Sequence, residues 1–158
     1  MKKKRQVCKQ DIRRSFYENG IVESKYTFRN ERLNGMYEWY YENGQLECRG
    51  KYKDNRAEGL YEHYYENGRL QLRGIFKNGK ENGLFEYYQS NGHSSLKTNY
   101  KDGRLDGAYE QYCEGKLSSK RTYRNGKEDG VWDFYTYDDD GKLKQKVTFK
   151  DGELFKRN

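Results

Sequence analysis

The chain has 158 residues, enough for one ordinary domain, with 32% hydrophobic and 36% charged residues and a formal net charge of +7. So few hydrophobics exclude a thick conventional core and lean toward disorder, yet 17 Tyr, 7 Phe and 2 Trp argue for an ordered but thin fold with a narrow aromatic core. Three widely spaced cysteines (Cys8, Cys48, Cys113) make no disulfide framework and no CxxC motif, and no apolar run reaches the length of a leader or a membrane helix.

At the start of the chain, residues 1–14 carry seven cations against Asp11, a net of +6, while residues 15–158 are close to neutral at +1. This predicts a basic N-terminal arm, with Lys2, Lys3, Lys4 and Arg5 at its tip, followed by a single repeat domain over residues 15–158. The arm reads as a solvated tail or as an electrostatic contact for phosphate or an acidic partner.

From residue 15 onward a period governs the sequence. Asn-Gly recurs at Asn19-Gly20, Asn43-Gly44, Asn67-Gly68 and Asn91-Gly92, 24 residues apart, with degenerate copies at Glu114-Gly115 and Asp140-Gly141. A second glycine series (Gly35, Gly59, Gly83, Gly107, Gly130) lies between them. Asn-Gly flanked by alternating aromatics predicts two-residue type I′ hairpin turns, and the absence of proline leaves the ladder uninterrupted. A further polar turn, such as Lys77-Asn78-Gly79-Lys80, ends each unit. The expected fold is all-β: an elongated, curved antiparallel meander of about six tandem 24-residue β-hairpin repeats, about twelve strands in all.

A two-residue turn at Asn43-Gly44 pairs Trp39 with Cys48, Tyr37 with Gly50 and Glu38 with Arg49, and also Tyr41 with Leu46 and Tyr40 with Glu47. The next units repeat the scheme with Tyr61–Gly74, His63–Leu72, Glu62–Arg73, Tyr65–Leu70, Phe85–Thr98, Tyr87–Leu96 and Glu86–Lys97. The fourth unit lacks one residue, which predicts a wider turn or a bulge. One face thus gathers the rings of Tyr37, Tyr61, Phe85, Tyr109 and Trp132 as a core. The opposite face carries a ladder of Tyr40, Tyr64, Tyr88, Tyr112 and Tyr135 among charged residues. That ladder is either structural or a recognition strip, since tyrosine offers rigid contact area with a polar tip.

The unit G-x-Y-E-x-Y-Y-E-N-G-x-L followed by Y-K-x-G-K-x-x-G resembles the MORN repeat variant, the bacterial form known from YwqK-type antitoxin proteins. The likeness runs from residue 16 to about 152. It implies stacked β-hairpins in a curved sheet and a role as an interaction scaffold, with an antitoxin role attached to the bacterial group.

Chemistry of other kinds finds little footing. His63 occupies the position of Trp39 and Tyr87 and reads as a core-face substitution; His93 follows a turn. Cys48 and Cys113 read as small packed hydrophobes. Asp138-Asp139-Asp140-Gly141 reads as a solvated loop, the competing reading being a weak Ca²⁺ site without EF-hand spacing. No catalytic, cofactor or metal-binding residues are expected, the chain is expected not to be an enzyme, and no small-molecule substrate is evident. The expected function is a protein-binding repeat scaffold, in particular an antitoxin or immunity-type inhibitor of a partner protein, in a cytoplasmic setting. The alternative is nucleic-acid or nucleotide binding through stacked aromatics and the basic arm; a membrane partner is not expected, because a lone polybasic segment holds weakly.

Overall fold

A computed structural model describes residues 9–150 and 153–157. The strands are Gln10–Phe16 (β1), Val22–Arg29 (β2), Arg32–Tyr40 (β3), Leu46–Lys53 (β4), Arg56–Ala57 (β5), Gly59–Tyr64 (β6), Leu70–Lys77 (β7) and Lys80–Glu81 (β8). They continue with Gly83–Tyr88 (β9), Ser94–Lys101 (β10), Arg104–Cys113 (β11), Lys116–Arg124 (β12), Lys127–Glu128 (β13), Val131–Tyr137 (β14), Leu143–Lys150 (β15) and Glu153–Arg157 (β16). All sixteen form one antiparallel sheet in chain order, an open meander, and no helix occurs among the described residues. The short strands β5, β8 and β13 are the first halves of strands that a bulge interrupts, and the remaining thirteen form the path of the sheet, one more than the twelve expected.

The described sheet begins at Gln10, so residues 10–14 of the expected arm lie in strand β1. Arg13 and Arg14 face Tyr26 and Lys25 on β2, and the Arg13 guanidinium lies 4.2 Å from the Phe28 ring centre. These cations belong to the first repeat.

The central register follows the arithmetic of the sequence. Tyr37 faces Gly50, Glu38 faces Arg49, and Trp39 faces Cys48. The same holds for Tyr61–Gly74, Glu62–Arg73 and His63–Leu72, and for Phe85–Thr98, Glu86–Lys97 and Tyr87–Leu96.

The turns are reassigned. At Asn43-Gly44 the loop holds three residues: the Gly44 N–H donates to the Tyr41 carbonyl and the Tyr41 N–H to the Gln45 carbonyl. Only Gly44 takes a positive φ (83°), whereas a type I′ turn would need one at Asn43 as well. The extra loop residue shifts the pairing, so Tyr40 faces Leu46 instead of Glu47, and Tyr64 rather than Tyr65 faces Leu70. Type I′ geometry appears at the other series, with φ of 53° and 82° at Asn78-Gly79 and 51° and 82° at Asp102-Gly103. In the fourth unit the missing residue tightens the turn: Glu114 and Gly115 take φ of 50° and 79° between Cys113 and Lys116. The expected bulge is there too, between Gln111 and Tyr112.

Side chains explain the longer loops. Asn43 Oδ1 accepts from the Gln45 N–H (2.9 Å) while its Nδ2 donates to the Glu66 carbonyl of the next loop (3.3 Å). Beside it, the Tyr41 hydroxyl donates to the Tyr64 carbonyl at 2.7 Å. Tyr17 with Asn19 and Tyr65 with Asn67 repeat the arrangement. Each such bond contributes about 0.5–1.5 kcal/mol and joins one repeat to the next. The opposite margin is tied as well: the N–H groups of Gly79, Gly103 and Gly126 donate to the carbonyls of Ala57, Glu81 and Leu105 in the preceding repeat. Bulges at the second glycine series leave those carbonyls available. At Gly35 (φ 138°) a Cβ would lie 2.6 Å from Thr27, so the bulge closes only over glycine.

The core is one layer of rings. Phe85, 2% exposed, is the one fully buried large apolar side chain among the described residues, in edge contact with Phe76 (5.6 Å) and Tyr100 (5.1 Å). Along this row rings alternate with small residues: Tyr37, Gly50, Tyr61, Gly74, Phe85, Thr98, Tyr109. Arg121 then takes the small-residue place and stacks its guanidinium 4.4 Å from the Trp132 ring centre. The remaining rings are half-buried, and Trp39 is 37% exposed.

Candidate functional site: a charge-and-tyrosine ladder

The face opposite the rings is organised by sign. Across ten consecutive strands of the path, residues Lys25, Glu38, Arg49, Glu62, Arg73, Glu86, Lys97, Glu110, Lys120 and Asp133 stand directly opposite one another in turn. Cation and carboxylate alternate without a break, so each interior charge sits between two of opposite sign. Such cross-strand pairs contribute about 0.2–1 kcal/mol each.

The closest contacts run between repeats as well as within hairpins. Lys25 Nζ lies 2.9 Å from Glu38, Arg49 Nε 2.5 Å from Glu62, and Arg73 Nε 2.5 Å from Glu86, which Lys97 approaches from its other side at 3.6 Å. Lys120 meets Glu110 at 2.8 Å. Sequence reasoning read Glu86–Lys97 among these contacts and placed Glu38 opposite Arg49 and Glu62 opposite Arg73; it did not reach Glu110–Lys120 in the fourth unit, and the contacts between hairpins need the strand order as well.

The tyrosine ladder is fastened to this row. The hydroxyls of Tyr40, Tyr64 and Tyr112 donate to the carboxylates of Glu38, Glu62 and Glu110, two residues earlier, at 3.0, 3.1 and 2.9 Å. Tyr135 does the same to Asp133 at 3.4 Å. All five ladder tyrosines, Tyr88 included, are half-buried. Burial, aided by the Glu110 carboxylate, pushes the Tyr112 hydroxyl up to about 12. The Lys25 ammonium holds the Glu38 carboxyl below its ordinary range, with help from Tyr40, and Lys120 does the same for Glu110. Lys2, Lys3, Lys4 and Arg5 lie outside the described residues.

One juxtaposition was hidden from sequence reasoning. His63 faces Cys48 across β4 and β6, with His63 Nε2 3.8 Å from Glu47. A thiol beside an imidazole suggests a nucleophile, but burial pushes the Cys48 thiol up to about 11, opposite to what activation requires. Among the described residues no group of three or more His, Cys, Asp or Glu side chains is placed to hold a metal ion. The Asp138–Gly141 cluster forms a hairpin loop in which Asp138 Oδ1 accepts from the Lys142 N–H at 2.7 Å. No helix among the described residues is long and apolar enough to cross a membrane.

Fold and ladder together define a tandem β-hairpin repeat protein built as a single sheet. The MORN repeat variant pattern matches residues 12–30, 33–54, 57–78 and 133–151, together just over half of the chain, and the chain belongs to that family. MORN repeats are generally associated with binding and scaffold roles. No curated protein matches the chain.

Proposed function

We propose that this chain is a protein-binding scaffold that acts by holding a partner rather than by catalysis, in the manner of an antitoxin or immunity-type inhibitor. The observation that carries the reading is the one-layer sheet: a row of half-buried rings, with Trp39 exposed, faces outward, and among the described residues only Phe85 is fully enclosed. Rigid aromatic area with polar tips is what protein interfaces enrich. The Tyr40, Tyr64, Tyr88, Tyr112 and Tyr135 ladder offers a second such strip, four of its hydroxyls bonded to carboxylates. Free thiols at Cys48 and Cys113 suit a reducing, cytoplasmic setting.

The paired ladder also weighs against nucleic acid as the main partner. Its five cations each face a carboxylate, so the ladder carries no net positive charge to track a phosphate backbone.

Affinity capture with the full chain tests the reading. A protein retained by the wild type should be lost on Tyr40/Tyr64/Tyr88→Ala or on Trp39/His63/Tyr87→Ala, with circular dichroism confirming that each variant folds. Capture of nothing, capture indifferent to both changes, or capture abolished by nuclease treatment would overturn it.

A further inference from the structure

The first repeat reverses the ladder. Twenty-four residues before Glu38 and Tyr40 stand Arg14 and Phe16, a cation where five later units carry a carboxylate and a bare ring where they carry tyrosine. Arg14 therefore faces Lys25, and the alternation of sign stops one strand short of the edge. Among the described residues no carboxylate faces Arg14 on this row, because Glu38 lies on the far side of Lys25.

Among the described residues β1 is the terminal strand of the path, paired on one side by β2. Its backbone groups on the other side are a template for a further strand. On the ladder face Arg14 is flanked by Ile12 and Phe16, 42% and 58% exposed. An open groove lined by Arg14, Lys25, Ile21, Val22 and Tyr40 continues from that edge. A strand approaching β1 thus meets apolar, cationic and apolar positions in alternation.

The interior rungs show what satisfies such a cation, since every one of them faces a carboxylate. Like charges directly opposite are destabilising. That argues against a second copy of this chain as the occupant. At the other end of the sheet Lys156 faces Thr148, with Lys146 on the same side. Both ends finish in cations, so two copies joined edge to edge would set like charges together.

We propose that the free edge of β1 takes an extended strand of a partner protein, an Asp or Glu of that strand meeting Arg14 while apolar residues two positions to either side cover Ile12 and Phe16. This rests on the protein-binding reading above and gives the partner a recognisable pattern, apolar–x–acid–x–apolar, held by strand addition. The proposal concerns one end of the sheet, whereas the aromatic rows concern its faces.

The test uses the full chain and a capped nonapeptide alternating valine and threonine, with glutamate in place of the central valine. N-methylation along one backbone edge prevents the peptide from pairing with itself. A second peptide carries lysine at the centre. The glutamate peptide should bind at least about fivefold more tightly than the lysine peptide, a factor within reach of one favourable against one unfavourable cross-strand pair. Arg14→Glu should reverse that preference, and 0.5 M salt should narrow it. Arg14→Glu also places a carboxylate opposite Lys25, so the variant is expected to fold. Hydrogen exchange should slow at alternate amides of Gln10–Phe16 on binding. Equal affinities, no binding of either peptide, or a preference unchanged in Arg14→Glu would overturn the proposal. The two readings separate cleanly: a captured partner that is lost on the aromatic changes but kept by Arg14→Glu removes the edge site alone, while no captured partner at all removes the scaffold reading.

Discussion

Gly74→Ala tests how the ring row is built. A methyl at this position would lie 2.3–2.5 Å from three atoms of the Phe85 ring. That ring is 2% exposed and gripped by Phe76 and Tyr100, so it cannot swing aside without losing its contacts. Gly74 does not have a positive φ, so alanine suits its backbone and, by restricting the unfolded chain, stabilises by about 0.4–1 kcal/mol. Overpacking costs about 1–3 kcal/mol and outweighs that gain, for a net loss of about 1–2 kcal/mol. Phe85→Ala alone should cost about 3–5 kcal/mol. With the ring gone the Gly74→Ala methyl loses its three closest contacts, and the change should become neutral or slightly stabilising. The two substitutions should therefore couple by about 1–3 kcal/mol in a double-mutant cycle. Urea unfolding followed by circular dichroism measures it, with a constant m-value required for each variant. If Gly74→Ala costs the same with and without the Phe85 ring, the packing argument is wrong.

Other consequences are open to simple measurements. Tyr41→Phe removes the hydroxyl that reaches the Tyr64 carbonyl and should lower stability by about 0.5–1.5 kcal/mol in urea unfolding. Thr98→Val should raise stability by about 1 kcal/mol in the same assay, because Thr98 is 1% exposed and its hydroxyl has no partner among the described residues. Glu38 and Glu110 are held below their ordinary value of 4.5 in the folded chain, so their contribution is present above that pH and lost as pH falls through the lower folded values. The melting temperature should hold between pH 7 and about 5 and drop below about 4.5, and a melting temperature unchanged down to pH 3 would contradict the ladder. Cys48, its thiol at about 11, should alkylate about tenfold more slowly than an ordinary thiol, the fall in thiolate being partly offset by higher nucleophilicity. Peptide mass mapping after iodoacetamide treatment should show the exposed Cys113 modified before Cys48.

The period, the sorting of rings and charges to opposite faces, and the register from Tyr37–Gly50 to Phe85–Thr98 were all legible in the sequence, because a strand has a side-chain period of two and glycine opposite a ring is an unmistakable pairing. Loop type was not. Asn43-Gly44 and Asn78-Gly79 contain the same dipeptide, yet one forms a three-residue loop and the other a type I′ turn. What separates them is non-local: Tyr41 and Asn43 reach the loop of the following repeat, a bond visible only once the strands are stacked. The ion pair of Arg49 with Glu62 was missed for a similar reason, since pairing arithmetic within one hairpin ignores the strand beyond. Arg14 was legible at its spacing of 24 before Glu38 but was hidden by the tally of charge that assigned it to an arm. The Tyr40 to Tyr135 column was placed on the charged face as expected, while its hydroxyl bonds to the preceding carboxylates depend on rotamers that spacing does not specify.

Because each repeat brings one positive and one negative rung, copy number is decoupled from charge balance. Excising residues 59–82 would bring Arg49 opposite Glu86, Cys48 opposite Tyr87 and Gly50 opposite Phe85, each a pairing of a kind already present. Duplicating the same segment would be equally neutral. A gene encoding this chain can therefore lengthen or shorten in whole units without passing through an electrostatically broken ancestor, provided the strand that begins the array stays in place.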